Sequence, residues 1–204
     1  MVRDTVLITN GEPLTRVWFP HSGVISLVIS LAGGETIEAA MVGRDSVFGA
    51  SAALDGAISI SDAIVQLSGT ASVLDVARLR PVVERSKALR TTLFRHEEVI
   101  LVQAQQSAAC NAVHTAEARL ARWLLRMRDL SGGDTLPLTQ EFLAQMIGVQ
   151  RNSVSLIAHR LQQAGFIRYR RGHIEITDVD GLIDSACECY ETVKAHYDRL
   201  LSSD

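Results

Sequence analysis

The stretch Leu136–Thr177, LPLTQEFLAQMIGVQRNSVSLIAHRLQQAGFIRYRRGHIEIT, decides how this chain is read. Thr139 stands where an N-cap belongs, and Phe142, Leu143, Met146 and Ile147 follow at helical spacing as the buried face of a short helix. Gly148 falls where two helices need a sharp turn. A second helix opens near Arg151, buries Val154, Ile157, Ala158 and Leu161, and ends at Gly165. Its phase turns Arg151, Asn152, Ser155, Leu156 and His159 outward near the N-terminal end, where short polar groups and an arginine suit the edges of major-groove bases. Phe166-Ile167-Arg168-Tyr169 and His173-Ile174-Glu175-Ile176 then alternate as two strands around Arg170-Arg171-Gly172, a wing with a basic tip suited to a phosphate or the minor groove. The set expected to face double-stranded DNA is Thr139, Gln140, Gln150, Arg151, Asn152, Ser153, Ser155, Leu156, His159, Arg170, Arg171 and His173. Two helices and a hairpin could be a plain globular module. The turn glycine, the polar outer face, the basic wing and a local charge of +3 over residues 139–177 together favour DNA.

Outward from this stretch, the 204 residues are 47% apolar and 21% charged, ordinary values for a globular chain of one large or two small domains. The net charge of −3 argues against a histone-like coat on nucleic acid, but it hides a basic island between acidic regions: residues 1–80 carry −3 and residues 178–204 carry −5. Residues 1–80 read as short strands: Thr15–Gly23, two apolar runs around Gly33-Gly34 with a tight turn, Asp45–Gly49, Ile58–Leu67 and Thr70–Asp75, with no helical period before about Val76. From Asp75 to Leu130 there is no glycine and one proline, Pro81, which predicts a short helix and then a long one. Leu89, Leu93, His96, Ile100, Gln103, Ser107 and Cys110 recur in steps of four and three, a seam expected to join two copies, with packing on the chain's own strands as the alternative. A further helix from Thr115 carries Leu120, Trp123, Leu124 and Met127 on one face and stops at Ser131-Gly132-Gly133. One amphipathic terminal helix is expected from Asp178, through Leu182, Ala186, Cys189, Tyr190, Val193, Tyr197 and Leu200.

Three cysteines, Cys110, Cys187 and Cys189, make no disulfide framework and fit a reducing compartment. The N-terminal MVRDTVLITNG has no apolar signal core, and the longest apolar run, Val24–Ala32, is too short for a bilayer, so the expected location is the cytoplasm with no membrane partner. The CxC of Cys187 and Cys189 has only His196 near it in sequence, short of a tetrahedral set, and no metal is expected. Cys110 reads as a small core residue, with redox sensing as the alternative. No catalytic residues are expected: GxSxG, P-loop and GxGxxG patterns are absent, and a cupin-like metal enzyme would need clustered histidines where residues 1–80 hold His21 alone.

The segments VWFPHSGVISL, VGRDSVFGA and GVQRNSVSLIAHRLQQAGFI resemble the Crp/Fnr superfamily of bacterial transcription regulators, over roughly residues 10–177. The resemblance implies an α+β chain of two domains: a cyclic-nucleotide-binding-like, jelly-roll-like β-roll sensor (1–84), a long dimerisation helix and hinge helix (85–131), and a winged helix-turn-helix with an extra terminal helix (132–204). It implies a homodimer on a near-palindromic operator, with RNA polymerase as a candidate partner. Arg151 takes the place of the family's guanine-reading arginine, while Asn152 and Leu156 replace the glutamate and second arginine often found there. Asn favours adenine, and Leu can touch only a thymine methyl. The family's ribose and phosphate pairs fall on Gly49-Ala50 and Ser61-Asp62, which lack the ribose acid and the phosphate cation. Cyclic AMP is therefore not expected, no cofactor is identified, and the effector is unknown. The N-terminus lacks the cysteines of iron–sulfur members, and His21, His96 and His114 leave haem open. A sensor or adaptor whose winged helix binds protein is the alternative function.

Overall fold

Strand β3 (Val24–Ser30) is apolar on both faces because each face meets a different core. Ile25 and Leu27 join Trp18, Phe48 and Val42 inside a β-roll, whereas Val24 and Val28 join Leu120, Leu124 and Met127 in a core shared with the C-terminal half. The computed structural model describes residues 1–170 and 172–201. The roll has a four-stranded antiparallel sheet, ordered β1 (Val6–Ile8), β5 (Asp62–Leu67), β3 and β4 (Thr36–Val42), and a two-stranded sheet of β2 (Arg16–Pro20) and β6 (Ala71–Asp75). Val28 pairs with Glu38 and Leu27 with Ala40, so Ala39 is an extra residue in β4. That bulge puts Glu38 and Met41 on one face of the strand, toward the shared core.

The roll departs from the sequence reading at β1, which lies ahead of the first run expected as a strand, and at two further places. The segment expected as a strand at Asp45–Gly49 makes only an isolated bridge, Phe48 to Trp18. It feeds a short helix, α1 (Ala50–Asp55), ahead of the first helix expected. Gly49 enters α1 with φ 85°, and a Cβ there would stand 2.7 Å from the Arg16 carbonyl oxygen, so glycine is required. Six residues are too few to display a helical period, and Ala50, Ala52 and Ala53 are buried in the roll core, where small side chains let α1 pack closely beside the two helices that follow it. The Gly33-Gly34 hairpin closes through a wider loop than a two-residue turn, with the Leu31 amide donating to the Glu35 carbonyl at 2.8 Å.

Helix α2 (Val76–Arg85) leads through Ser86, whose hydroxyl caps the next helix at the Leu89 amide (3.2 Å), into α3 (Lys87–Val113). The chain breaks at His114 and restarts with Thr115 capping α4 (Ala116–Ser131), which ends at Gly132 in the left-handed region as its sequence requires. All four residues expected on its apolar face are buried. The helix-turn-helix is α5 (Gln140–Ile147) and α6 (Arg151–Gln163), with a wing of β7 (Thr135–Leu136), β9 (His173–Ile176) and β8 (Ile167–Arg170). Val154, Ile157, Ala158 and Leu161 are buried, as their spacing predicts. The terminal segment is two helices rather than one, α7 (Val179–Ser185) and α8 (Cys189–Leu201), because Ala186 adopts extended backbone. Helix α8 lies on α3, with Val193 and Tyr197 against Val99.

Candidate nucleic-acid interface

The turn between α5 and α6 is built on Gly148, φ 64°, whose amide donates to the Gln145 carbonyl at 3.2 Å. From it, Gln150, Arg151 and Asn152 project from the first turn of α6 into solvent, with Leu156 and His159 exposed on the same side. Leu156 is 66% exposed, a cost in water that an apolar contact with a thymine methyl would offset. Ser153 and Ser155 are half-buried, and the Ser155 hydroxyl donates to Gln140 Oε1 at 2.6 Å, tying α6 to α5. Arg151 Nε lies 3.7 Å from Glu141 Oε2 in a loose, exposed pair that a phosphate or base edge can displace. Thr139 caps α5 by accepting from the Phe142 amide at 3.2 Å. A Cβ on Gly172 would stand 3.7 Å from Thr139 Cγ2, so the wing turn sits beside the start of α5. Arg170 and His173 are exposed at the wing's strand ends, and Arg171 lies outside the described residues. The β3–β4 hairpin of the roll flanks this surface: a Cβ on Gly148 would meet Ile37 Cδ1 at 3.2 Å.

Within the roll, a cavity of about 480 Å³ is lined by Leu14, Leu27, Phe48, Ile58, Ile60 and Ile100, with Gly49, Ser61 and Glu97 among its polar or small edges. Glu97 Oε1 accepts from the Ser51 amide at 2.7 Å, and burial raises its carboxyl above the usual range. No arginine or lysine is among the described residues that line this cavity. Of the four positions expected at an effector site, Gly49 and Ser61 line it. Ala50 is buried in α1, and Asp62 accepts from the Asn10 amide and the Ser30 hydroxyl, both at 2.8 Å, away from the cavity.

The profile of the cyclic nucleotide-binding domain matches residues 2–86, and that of the Crp-like helix-turn-helix domain matches residues 118–185. The chain belongs to the Crp/Fnr superfamily. Among solved structures, FixK2 from Bradyrhizobium japonicum superposes with a TM-score of 0.77 at 18% identity, over 91% of this chain and 94% of that one. TTHA1359, a CRP/FNR-family transcriptional regulator from Thermus thermophilus, gives 0.74 at 23% identity over 94% and 96%. TTHB099, a CRP-family regulator from the same organism, gives 0.71 at 21% over 93% and 98%. No curated protein matches the chain in sequence. Among the described residues, no helix is long and apolar enough to cross a membrane.

In this Crp/Fnr chain the seam expected between two copies turns inward. Leu93 is buried with the roll core, Leu89 and Ile100 pack partly against it, and His96 is half-buried, where burial lowers its pKa. Gln103 behaves as an extra strand residue, accepting from the Met41 amide at 2.7 Å and donating to the Met41 carbonyl at 3.1 Å and the Tyr197 hydroxyl at 2.9 Å. The heptad row one residue later faces out: Phe94 is 55% and Leu101 57% exposed, with Ala108 also exposed. Its signal, large apolar residues seven apart, stands beside that of the inner row in the sequence; choosing between two offset rows needs to know where the roll lies.

The expectation that the CxC has only His196 near it is also corrected. Cys187 and Cys189 meet Cys110 and His114, not His196, whose Nδ1 contacts Arg199 at 2.7 Å. Of the histidines left open for haem, His114 belongs to this cluster, and His21 Nε2 sits 2.9 Å from the Ser72 hydroxyl.

Proposed function

We propose that this chain is a homodimeric, sequence-specific DNA-binding regulator in the cytoplasm, acting on a near-palindromic operator. The exposed face of α6 carries the reading: an arginine, an asparagine and an uncovered leucine on the first two turns, with a basic wing beside them. Residues 1–84 serve as sensor, 85–131 as connection and 132–204 as reader. The roll takes a small apolar molecule in place of a cyclic nucleotide, because the described residues that line its cavity offer hydrocarbon and a carboxyl but no cation for a phosphate. Glu97, Ile100 and Ala104 bring α3 into that cavity, so an occupant touches the helix that joins the copies. Such an occupant shifts the regulator between states only through different affinities for them.

Selection of bound duplexes from a random pool, at near-physiological salt, tests the function. Enrichment of a palindrome with half-sites roughly 10 bp apart supports it. Binding to a protein partner with little salt dependence, and no enriched duplex, would replace it with the adaptor reading.

The outward row supplies the dimer contact. Leu101→Glu is expected to leave the fold intact, since the side chain is already in water, and to shift sedimentation from dimer to monomer. An unchanged dimer would move the contact elsewhere.

A further inference from the structure

We propose that Cys110, His114, Cys187 and Cys189 hold a zinc ion that clamps the C-terminal helices onto the end of α3. Their ligand atoms all lie within 4.8 Å of one another. Cys110 Sγ is 3.4 Å from Cys187 Sγ, and Cys189 Sγ is 3.5 Å from His114 Nδ1. A tetrahedron with metal–sulfur bonds of ~2.3 Å has sulfur–sulfur edges of roughly 3.8 Å, so small adjustments seat the ion. Three thiols and one imidazole are a complete structural zinc set, and the burial of all three cysteines leaves no open position for a substrate.

The backbone is arranged for these four ligands. Cys110 and His114 are one turn apart at the end of α3 and share a face. Cys187 and Cys189 would point about 200° apart on a continuous helix. The extended residue Ala186 interrupts the helix there, and both cysteines turn toward α3. This accounts for the two terminal helices where sequence periodicity predicts one.

Outside the ligands, further groups hold them in place. His114 Nε2 is 3.2 Å from Glu188 Oε1, so the carboxylate orients the ring with Nδ1 toward the sulfurs. The Gln106 amide donates to Cys189 Sγ at 3.0 Å. A buried cluster of small core residues would need neither a carboxylate behind the imidazole nor an amide aimed at a sulfur. The clamp acts where α3 hands over to α4, at His114–Thr115, and so fixes how the reading domain leaves the helix that joins the copies.

Metal analysis of the full chain, purified under reducing conditions without added metal, is expected to give one zinc per chain. Cobalt(II) replacement is expected to give thiolate-to-metal charge transfer and intense tetrahedral ligand-field bands. Glu188→Gln, an exposed change that leaves the ligands intact, is expected to weaken zinc about 10- to 100-fold against a chromophoric chelator. Cys187→Ser is expected to lose the metal, and chelation to lower the Tm of the wild type but not of that variant. Folded protein without metal, iron in place of zinc, or a Cys110–Cys187 disulfide trapped by alkylation at lysis would each overturn the site. So would a Glu188→Gln chain with unchanged zinc affinity. These readouts use no DNA, so they succeed or fail independently of the function proposed above.

Discussion

Arg151→Ala is expected to weaken binding to the selected operator by ~1–3 kcal/mol and to erase discrimination at one base position in each half-site. The guanidinium is exposed on the first turn of α6 and, among the described residues, makes a loose contact to Glu141, so little folding energy is lost with it. What disappears is a planar fork that can donate two hydrogen bonds to one guanine. Competition binding with duplexes changed one base pair at a time reads the effect directly. Arg170→Ala is the companion measurement, because a wing arginine on a phosphate contributes without regard to sequence. It is expected to lower affinity about equally for all duplexes and to flatten the salt dependence by about one ion. Unchanged selectivity in Arg151→Ala would remove that residue from base reading.

Glu38→Gln is expected to remove the share of a fall in stability that Glu38 gives the wild type as pH rises from about 4.5 to about 7. Glu38 is buried on β4 of the roll; its Oε1 accepts from Trp123 Nε1 of α4 at 2.7 Å, and its Oε2 accepts from the Ser26 hydroxyl. Burial raises its carboxyl from 4.5 to about 7, against the opposing pull of these two hydrogen bonds and of Arg122 and Arg126. The unfolded chain releases this proton near 4.5, whereas the folded chain keeps it to about 7, so folding is favoured below that window and loses about 3 kcal/mol across it. Above about 7 the loss is complete and the curve levels. Glutamine keeps the shape, accepts from Trp123 through its carbonyl and can donate to Ser26. It should therefore match the wild type at low pH and exceed it in urea midpoint at high pH. Glu97, also raised, tilts the curve the same way, and His96, lowered by burial, tilts it oppositely. Both are present in each protein, so the difference between the two curves belongs to Glu38. An equal slope in Glu38→Gln would refute the assignment.

The helix-turn-helix was legible because its determinants are local. Thr139, Gly148 and the spacing of Val154, Ile157, Ala158 and Leu161 act within a few residues of one another, and one helical phase assigns inside and outside together. Strands β2 to β6 of the roll were legible for the same reason; β1 was not expected, the run Asp45–Gly49 holds only an isolated bridge, and α1 was hidden because six residues between glycines carry no period. Ser26 and Glu38 stand out as polar breaks in apolar strands. Their purpose is Trp123, 85 residues beyond Glu38 in the chain.

The sequence by itself determined that a winged helix-turn-helix follows a strand-rich domain and a long helix, and which face of the reading helix meets solvent. Tertiary structure alone decided which of two heptad rows on α3 is outward, since Leu93 and Phe94 are adjacent in sequence and only the position of the roll distinguishes them. It alone decided that Asp62 is turned away from the cavity it was aligned to. It also brought Cys187 and Cys189 to Cys110 and His114, partners more than seventy residues away. Spacing along a chain constrains neighbours through backbone geometry, whereas groups so far apart meet only when burial of apolar surface folds α8 back on α3.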